Sequence, residues 1–494
     1  MSLRSILAKP FAAFVVQNRR KWEQRAVETQ LSLMKSLVSD ASYTLFGKDH
    51  KFSQISDYQE FKDSVKVQDY ENLQPYIEKV VAGEPDILWK GKPLYFAKTS
   101  GTTSGVKYIP ISKESIGFHI NGARDALLSY VHETGKAKFL DKNLMFLSGS
   151  PEMEKKNGIF TGRLSGIVNH HVPTYLRSNQ MPSYATNCID DWETKLDKII
   201  DETIDKPMSL ISGIPPWVQM YFDRIQVRTN KKIKDVFPEF SLFVYGGVNF
   251  EPYRTKLYTS IGCKIDSIET YPASEGFIAY QDTQTEEGLL MLLNSGVFYE
   301  FIPVEDYFKA NPRRLHIGEV QLGVNYAVVM NTNAGLWGYS IGDTIKFVSL
   351  NPYRIVVSGR IKHFISAFGE HVIGEEVEKA MQFAMQRHPE VELVEFTVAP
   401  QVTPPEGGLP YHEWLVEFSK APKNIEKFAQ DINHKLAELN VYYNDLIIGN
   451  ILRPLKIKSL QKDLFINYMR SQGKLGGQNK VPRLSNDREI ADRL

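Results

Sequence analysis

The stretch "SLFVYGG" (241–247), followed by "EPYRTKLYTSIG" (251–262) and "CKIDSIETY" (263–271), decides the fold. An apolar run that closes on two glycines reads as a buried strand. The next segment reads as a helix stopped by Gly262, and the third as another strand. Strand, helix and strand in that order predict a βαβ unit, and ligands of such sheets bind beyond the carboxyl ends of the strands. Gly246 to Asn249 and Tyr271 to Gly276 therefore become site candidates by position, Gly247 and Ser274 among them. Around this unit, short apolar runs alternate with longer amphipathic ones, so the fold class is α/β, with parallel or mixed sheets and helices in a large N-terminal domain.

The chain of 494 residues is long for one core, so more than one domain is expected. A second pattern begins after "NPYRIVVSGRIKHF", which places a boundary near Gly359. The expected division is 1–358 and 359–494. In the second part, "ELVEFTVA" (392–399) and "HEWLVEFSK" (412–420) alternate as strands, with Trp414, Val416 and Phe418 on one face. A helix follows, with Ile425, Phe428, Ile432, Leu436 and Leu439 on one stripe. A small α+β domain results, whose tail "GKLGGQNKVPR" (473–483) has the composition of a mobile loop.

Lys plus Arg (59) nearly balance Asp plus Glu (58), and there is no long run of like charge, so no nucleic-acid partner is expected. Cys188 and Cys263 are too few for a disulfide framework or a four-ligand zinc site and fit a reducing compartment. The N-terminal apolar run, Phe11 to Val16, is short for a secretory signal. Leu31, Met34, Leu37 and Val38 follow at helical spacing, and an N-terminal helix packed on the body is expected. No stretch has the roughly 20 apolar residues of a membrane span, so the sequence predicts a soluble, cytoplasmic protein with no membrane partner.

In "YFAKTSGTTSGVKYIPIS" (95–112), every residue from Thr99 to Gly105 is a small hydroxyl residue or a glycine. Gly101 and Gly105 are four apart and Lys107 precedes Tyr108, so the spacing is not that of a Walker loop. Strand-like segments flank the loop. Small residues let backbone approach an anion with several donors exposed, so a phosphate-clasping hairpin loop is the chemical reading; a solvated turn is the bland one. "ETYPASEGF" (269–277) offers Tyr271 for stacking and Glu275 for a hard cation, against a plain turn with a solvated acid. In "GLWGYSIGDTIKF" (335–347), Asp343 is expected at a turn, where a carboxylate can accept both ribose hydroxyls. Lys480 is either a surface lysine or a cation delivered by a moving tail. His170 and His171 lack metal-site spacing, and no nucleophile elbow supports a serine hydrolase.

In order and spacing, "TSGTTSGVK", "YPASEG" and "YSIGD" resemble the three nucleotide-binding motifs of the acyl-adenylate-forming superfamily, and "GRIKHFISAFGEHVIGEEVE" (359–378) resembles its hinge. With "QNKVPR" in the tail, the chain is similar over nearly its whole length to the Gretchen Hagen family of acyl acid amido synthetases. The resemblance implies an adenylation domain followed by a small mobile domain that carries a catalytic lysine. It implies Ser100, Gly101, Thr102 and Thr103, with Ser104 beside them, at the ATP phosphates. Thr270 and Tyr271 would lie at the adenine, Glu275 at Mg²⁺, Asp343 at the ribose hydroxyls, and Lys480 at the α-phosphate and carboxylate. Plant members carry a lysine roughly where this chain has Gly369, Glu370 and His371, which leaves Arg360 or Lys362 as substitutes. The implied activity is an ATP-dependent ligase that activates a carboxylic acid and passes the acyl group to an amine, in the first instance an amino acid. The rival readings are a coenzyme A ligase and a non-catalytic nucleotide-binding protein.

Overall fold

The computed structural model describes residues 2–100, 106–172, 177–247, 250–361, 364–365, 367–370, 372–472, 481 and 483–494. It divides into two compact units. The first comprises residues 1–99, 107–189 and 197–361; the second comprises 362–494 together with 100–106 and 190–196.

The first unit is built on two sheets. The smaller has the order β2-β1-β5-β4, from β1 (Tyr95–Ser100), β2 (Val106–Ile111), β4 (Glu154–Lys156) and β5 (Ile159–Gly162). The larger runs through β3 (Asn143–Phe146), β6 (Gln180–Met181), β7 (Met208–Ser212), β8 (Leu242–Gly246), β9 (Asp266–Ala273), β10 (Gly276–Tyr280) and β11 (Leu289–Met291). It is completed by β12 (Val297–Pro303), β13 (Asn325–Thr332), β14 (Tyr339–Leu350) and β15 (Tyr353–Arg360). Its order is β12-β13-β14-β15-β11-β10-β9-β8-β7-β3-β6.

The expected βαβ unit is present: β8 and β9 run parallel, and the helix Glu251–Ile261 between them ends on Gly262, whose φ of 94° suits a left-handed cap. From β9 to β6 every pairing is parallel, and from β9 to β12 every pairing is antiparallel. β9 is thus the strand at which the sheet changes character. Flat strands lie ~4.8 Å apart, so the four steps from β9 to β14 would separate them by about 19 Å. Yet Tyr271 of β9 hydrogen-bonds Asp343 of β14. The antiparallel half therefore curls on itself, around a core that includes Tyr299, Phe301, Val328, Met330, Ile345 and Phe347.

Two helices form the N-terminus, Leu3–Glu23 and Ala26–Ala41. In the second, Met34, Leu37 and Val38 are buried as their spacing predicts, and Gln30 accepts from Tyr299 N and donates to the Leu293 and Val297 carbonyls. Helix Lys113–Thr134 begins with a reciprocal Ser112–Ser115 cap and ends on Gly135 in the left-handed region.

The second unit has the sheet β18-β19-β20, made of β18 (Glu392–Gln401), β19 (Tyr411–Lys420) and β20 (Lys456–Leu460), besides a short pair, β16 (Phe364–Ile365) and β17 (Val372–Ile373). Trp414 and Val416 are fully buried, and Phe396 stacks on Trp414 at 5.6 Å. On the helix Ile425–Leu439, Phe428, Ile432 and Leu436 form the buried stripe. Ile425 is exposed, because it is the first helical residue after the Asn424 cap, where the stripe has not yet turned toward the sheet. Glu370 and His412 form a fully buried pair at 2.8 Å, and the second carboxylate oxygen accepts from Phe368 N.

Candidate functional site

The site is built at the carboxyl ends of β8 and β9. Their register pairs Gly246 with Thr270, and Thr270 Oγ1 donates to the Tyr245 carbonyl at 2.9 Å. A Cβ on Gly246 would lie 2.3 Å from the Thr270 carbonyl oxygen, so only glycine lets the two strands close. Gly247 is glycine for a different reason: its surroundings are open, but its φ is 81°. Two residues thus end β8 abruptly and leave the edge beside Thr270 and Tyr271 uncovered by a side chain at position 247.

β9 turns back into β10 through Ser274 and Glu275, with Ala273 paired to Gly276 and Pro272 to Phe277. "YPASEG" is therefore a strand end and a two-residue hairpin, with Glu275 half-buried at its tip. Tyr271 is buried, and its hydroxyl donates to Asp343 Oδ2 at 2.5 Å. That bond joins two motifs 72 residues apart in the chain.

Asp343 does not stand at a turn. It lies within the long strand β14, paired with Arg360 of β15, and the register shifts immediately after Thr344. Gly342, with φ 81°, supplies the local bend, and its carbonyl accepts from Ile361 N. The sequence signal of Gly followed by Asp marks an irregularity inside a strand here, because β13 pairs with β14 on both sides of it while β15 ends opposite Asp343 at Arg360. Asp343 is 7% exposed, so its carboxylate is largely removed from water and is held by the tyrosine hydroxyl.

The loop between β1 and β2 is framed as expected, by two strands that are neighbours in one sheet. Gly101, Thr102, Thr103 and Ser104 lie outside the described residues, as does the Ser100 side chain. The same holds for the Arg360 side chain, Lys362, His371 and Lys480. Of the basic residues beside the loop, Lys98 is ion-paired to Glu154 at 2.5 Å, and the Lys107 ammonium stands 5.0 Å from the Tyr70 ring centroid. His171 Nε2 meets the Tyr95 hydroxyl at 2.9 Å, and His170 Nε2 meets the Pro151 carbonyl at 2.7 Å. Burial holds the His171 pKa below its ordinary value. Sequence reading left both histidines without a role, and no spacing signal links His171 to Tyr95, 76 residues away.

Among the described residues, no three His, Cys, Asp or Glu side chains gather into a metal cage. A single hairpin carboxylate suits Mg²⁺, which commonly takes one or two carboxylates and completes its shell with substrate phosphates and water. Glu275 is the acid at that place. His119 is a further buried group that sequence reading missed: it is 3% exposed on helix Lys113–Thr134, and its Nδ1 has no hydrogen-bond partner among the described residues. A lone histidine on an otherwise apolar helix face gives no motif to find.

Solved structures share this fold over nearly the whole chain. The structure aligns with an acyl acid amido synthetase, AtGH3.15 in complex with 2,4-DB, at a TM-score of 0.62 and 17% identity, covering 98% of this chain and 95% of that one. It aligns with 2-hydroxyisobutyryl-CoA ligase at 0.58 and 13% identity, covering 95% and 91%. In sequence, residues 16–190 match the GH3 family N-terminal domain, 290–360 its central domain and 375–489 its C-terminal domain. The chain belongs to the GH3 family. Indole-3-acetic acid-amido synthetase GH3.15 of Arabidopsis thaliana is 22% identical over 92% of this chain and 90% of its own length. Jasmonoyl-L-amino acid synthetase JAR4 of Nicotiana attenuata is 23% identical over 58% of this chain, a match that spans 60% of the relative's length.

Proposed function

We propose that this protein is an ATP-dependent ligase that converts a carboxylic acid to its acyl-adenylate and transfers the acyl group to an amine, an amino acid in the first instance. The observation that carries the proposal is the bond between Tyr271 and Asp343 at the carboxyl end of β9. It joins a planar ring suited to stacking on adenine and a carboxylate suited to two vicinal hydroxyls, beside a glycine-opened strand end. The names of the relatives, amido synthetases for indole-3-acetic acid and jasmonate, support amide formation as the second step.

Attack of a carboxylate on the α-phosphate brings two anions together, so the chemistry needs positive charge at the reacting oxygens. In this proposal Glu275 would hold Mg²⁺, which when bound would supply charge neutralisation at the phosphates. Ser100, Gly101, Thr102, Thr103 and Ser104 donate to the departing pyrophosphate. Thr270 and Tyr271 hold the adenine, with Gly247 and Ser274 giving it room. Asp343 orients the ribose, Arg360 assists at the hinge, and Lys480 offsets charge on the α-phosphate and acyl oxygen. The assignment of 1–358 as the adenylation domain and 359–494 as the mobile domain belongs to the same proposal, as does a cytoplasmic location.

The test is ATP–pyrophosphate exchange with Mg²⁺ over a panel of aryl, indolyl and aliphatic carboxylic acids. Exchange should depend on the class of acid and should fall about 100-fold or more in Glu275→Ala and in Lys480→Ala, with a much smaller loss of ATP affinity. Full exchange in both variants would remove these two residues from the mechanism. Supplying coenzyme A and amino acids separately, and weighing the products, distinguishes thioester from amide.

A further inference from the structure

The N-terminal helix Leu3–Glu23 turns its small residues inward and its large ones outward. Ser5, Ala8, Ala12 and Val16 are its buried residues, and Ala8 and Ala12 share a core with Ala126, Leu128 and Tyr130 of helix Lys113–Thr134. Leu3 is 70% exposed, Ile6 53%, Leu7 56%, Phe11 43% and Phe14 60%. With 3.6 residues per turn these five fall on one stripe, opposite the buried one. A helix whose only task was to cover the body would carry this pattern reversed, because exposure of five bulky apolar side chains on one stripe costs free energy in water.

The helix is also firmly placed. The Ser2 N–H and the Ser5 hydroxyl both donate to Asp141 Oδ2 at 3.0 Å, and Arg4 donates to Ser178 at 3.2 Å. The stripe is thus a fixed surface rather than a frayed end.

The charge that the helix itself carries before Glu23 has one sign. From residue 2 to residue 22 the chain has Arg4, Lys9, Arg19, Arg20 and Lys21 and no acidic residue. Arg19 is spent inward on Glu23 and Asp282. Arg4 and Lys9 flank the apolar stripe on its two sides, Lys21 continues its line one turn beyond Gln17, and Arg124, which is ion-paired to Asp125, stands 5.7 Å from the Phe11 ring centroid. Around the helix start, Asp141 is already held by Ser2 and Ser5, and Lys138 precedes it in the turn Lys138–Asp141. A second copy of the same face would set cation against cation. An anionic surface with an apolar interior would answer both the charge and the stripe.

We propose that this helix lies flat in the interface of an anionic lipid bilayer and attaches the protein peripherally. The apolar side chains enter the boundary between headgroups and acyl chains, while the lysines and arginines pair with lipid phosphates and carboxylates. No described helix is long and apolar enough to cross a membrane, and the six-residue apolar run that excludes a span places no limit on a helix that lies in the plane. The family N-terminal match begins at residue 16, so the five apolar side chains of the stripe lie before it.

The experiment is flotation of the full-length protein with vesicles of phosphatidylcholine alone or mixed with phosphatidylserine, with light scattering of the protein in the absence of lipid. Binding should favour the anionic vesicles and weaken as salt is raised, since ~1 kcal/mol per basic residue near the surface is screened within a Debye length. The pair Leu7→Ser with Phe14→Ser, and separately the pair Lys9→Glu with Lys21→Glu, should each lower partitioning about ten-fold or more. Their melting temperatures should stay within a few degrees of the parent, because these side chains are exposed. Three outcomes would overturn the proposal: no flotation with either vesicle, equal flotation of parent and variants, or a self-associating protein whose dimer is abolished by Phe14→Ser without any vesicle binding. The last would make the stripe an interface between copies.

Discussion

Tyr271 shows how much one residue has to do here. Its ring packs against the core of the curled sheet while its hydroxyl holds Asp343, so a single side chain couples the β9 end to β14. A hydrogen bond to a carboxylate contributes about 1.5–3 kcal/mol, most of it as the cost of leaving the acceptor unpaired. Tyr271→Phe keeps the ring and removes the bond. The expected result is a KM for ATP raised about ten-fold, equivalent to ~1.4 kcal/mol, with a smaller change in kcat, because Asp343 would lose its orientation rather than its charge. An unchanged KM with a normal melting temperature would place the nucleotide elsewhere.

At the scale of elements, the site depends on how closely β8 can approach β9. Gly246 and Gly247 are adjacent and serve opposite needs, space at one and backbone conformation at the other. Gly246→Ala would press a methyl group on the Thr270 carbonyl and force the strands apart, at about 1–3 kcal/mol. Gly247→Ala would meet no atom and cost about 1–2 kcal/mol through its left-handed φ alone. Urea unfolding should rank the two in that order, and pyrophosphate exchange should fall more in Gly246→Ala, since only that substitution displaces Thr270 and Tyr271. Equal effects would mean that the β8–β9 approach does not shape the site.

At the scale of the whole molecule, acid stability reflects groups that folding withholds from protons. Burial pushes the His119 pKa down from 6.5 to about 4, so the folded protein keeps the ring neutral while the unfolded chain takes up a proton below pH 6.5. The sign follows: stability falls as pH drops from about 6.5 toward 4 and then levels, a loss of up to about 3 kcal/mol at ~1.4 kcal/mol per unit. Burial raises the carboxyl pKa of Glu23 and Asp125, so these two act the other way and favour the fold at low pH. Equilibrium unfolding from pH 7 to 4 should show a slope that flattens in His119→Gln; an unaltered slope would assign it to other groups.

The sequence by itself determined the elements and their order. "SLFVYGG", the Gly262 stop and "CKIDSIETY" specified a βαβ unit because apolar periodicity and glycine punctuation are local signals, and the strands on either side of "TSGTTSG" were legible for the same reason. The positions of the site candidates at strand ends followed from that topology. Only the tertiary structure decided which of them meet. Asp343 reads as a turn residue from its neighbours, and it is a strand residue because β13 pairs with β14 on both sides of it and β15 closes opposite it at Arg360. Its bond to Tyr271 arises from the curl of a sheet with three strands between them, a sum of twists that no window of sequence contains. The outward face of the first helix was hidden for a related reason. Apolar residues on a helix predict burial, and which of its two apolar stripes is buried depends on the Ala-lined contact with a helix more than 100 residues away, where small residues pack closest.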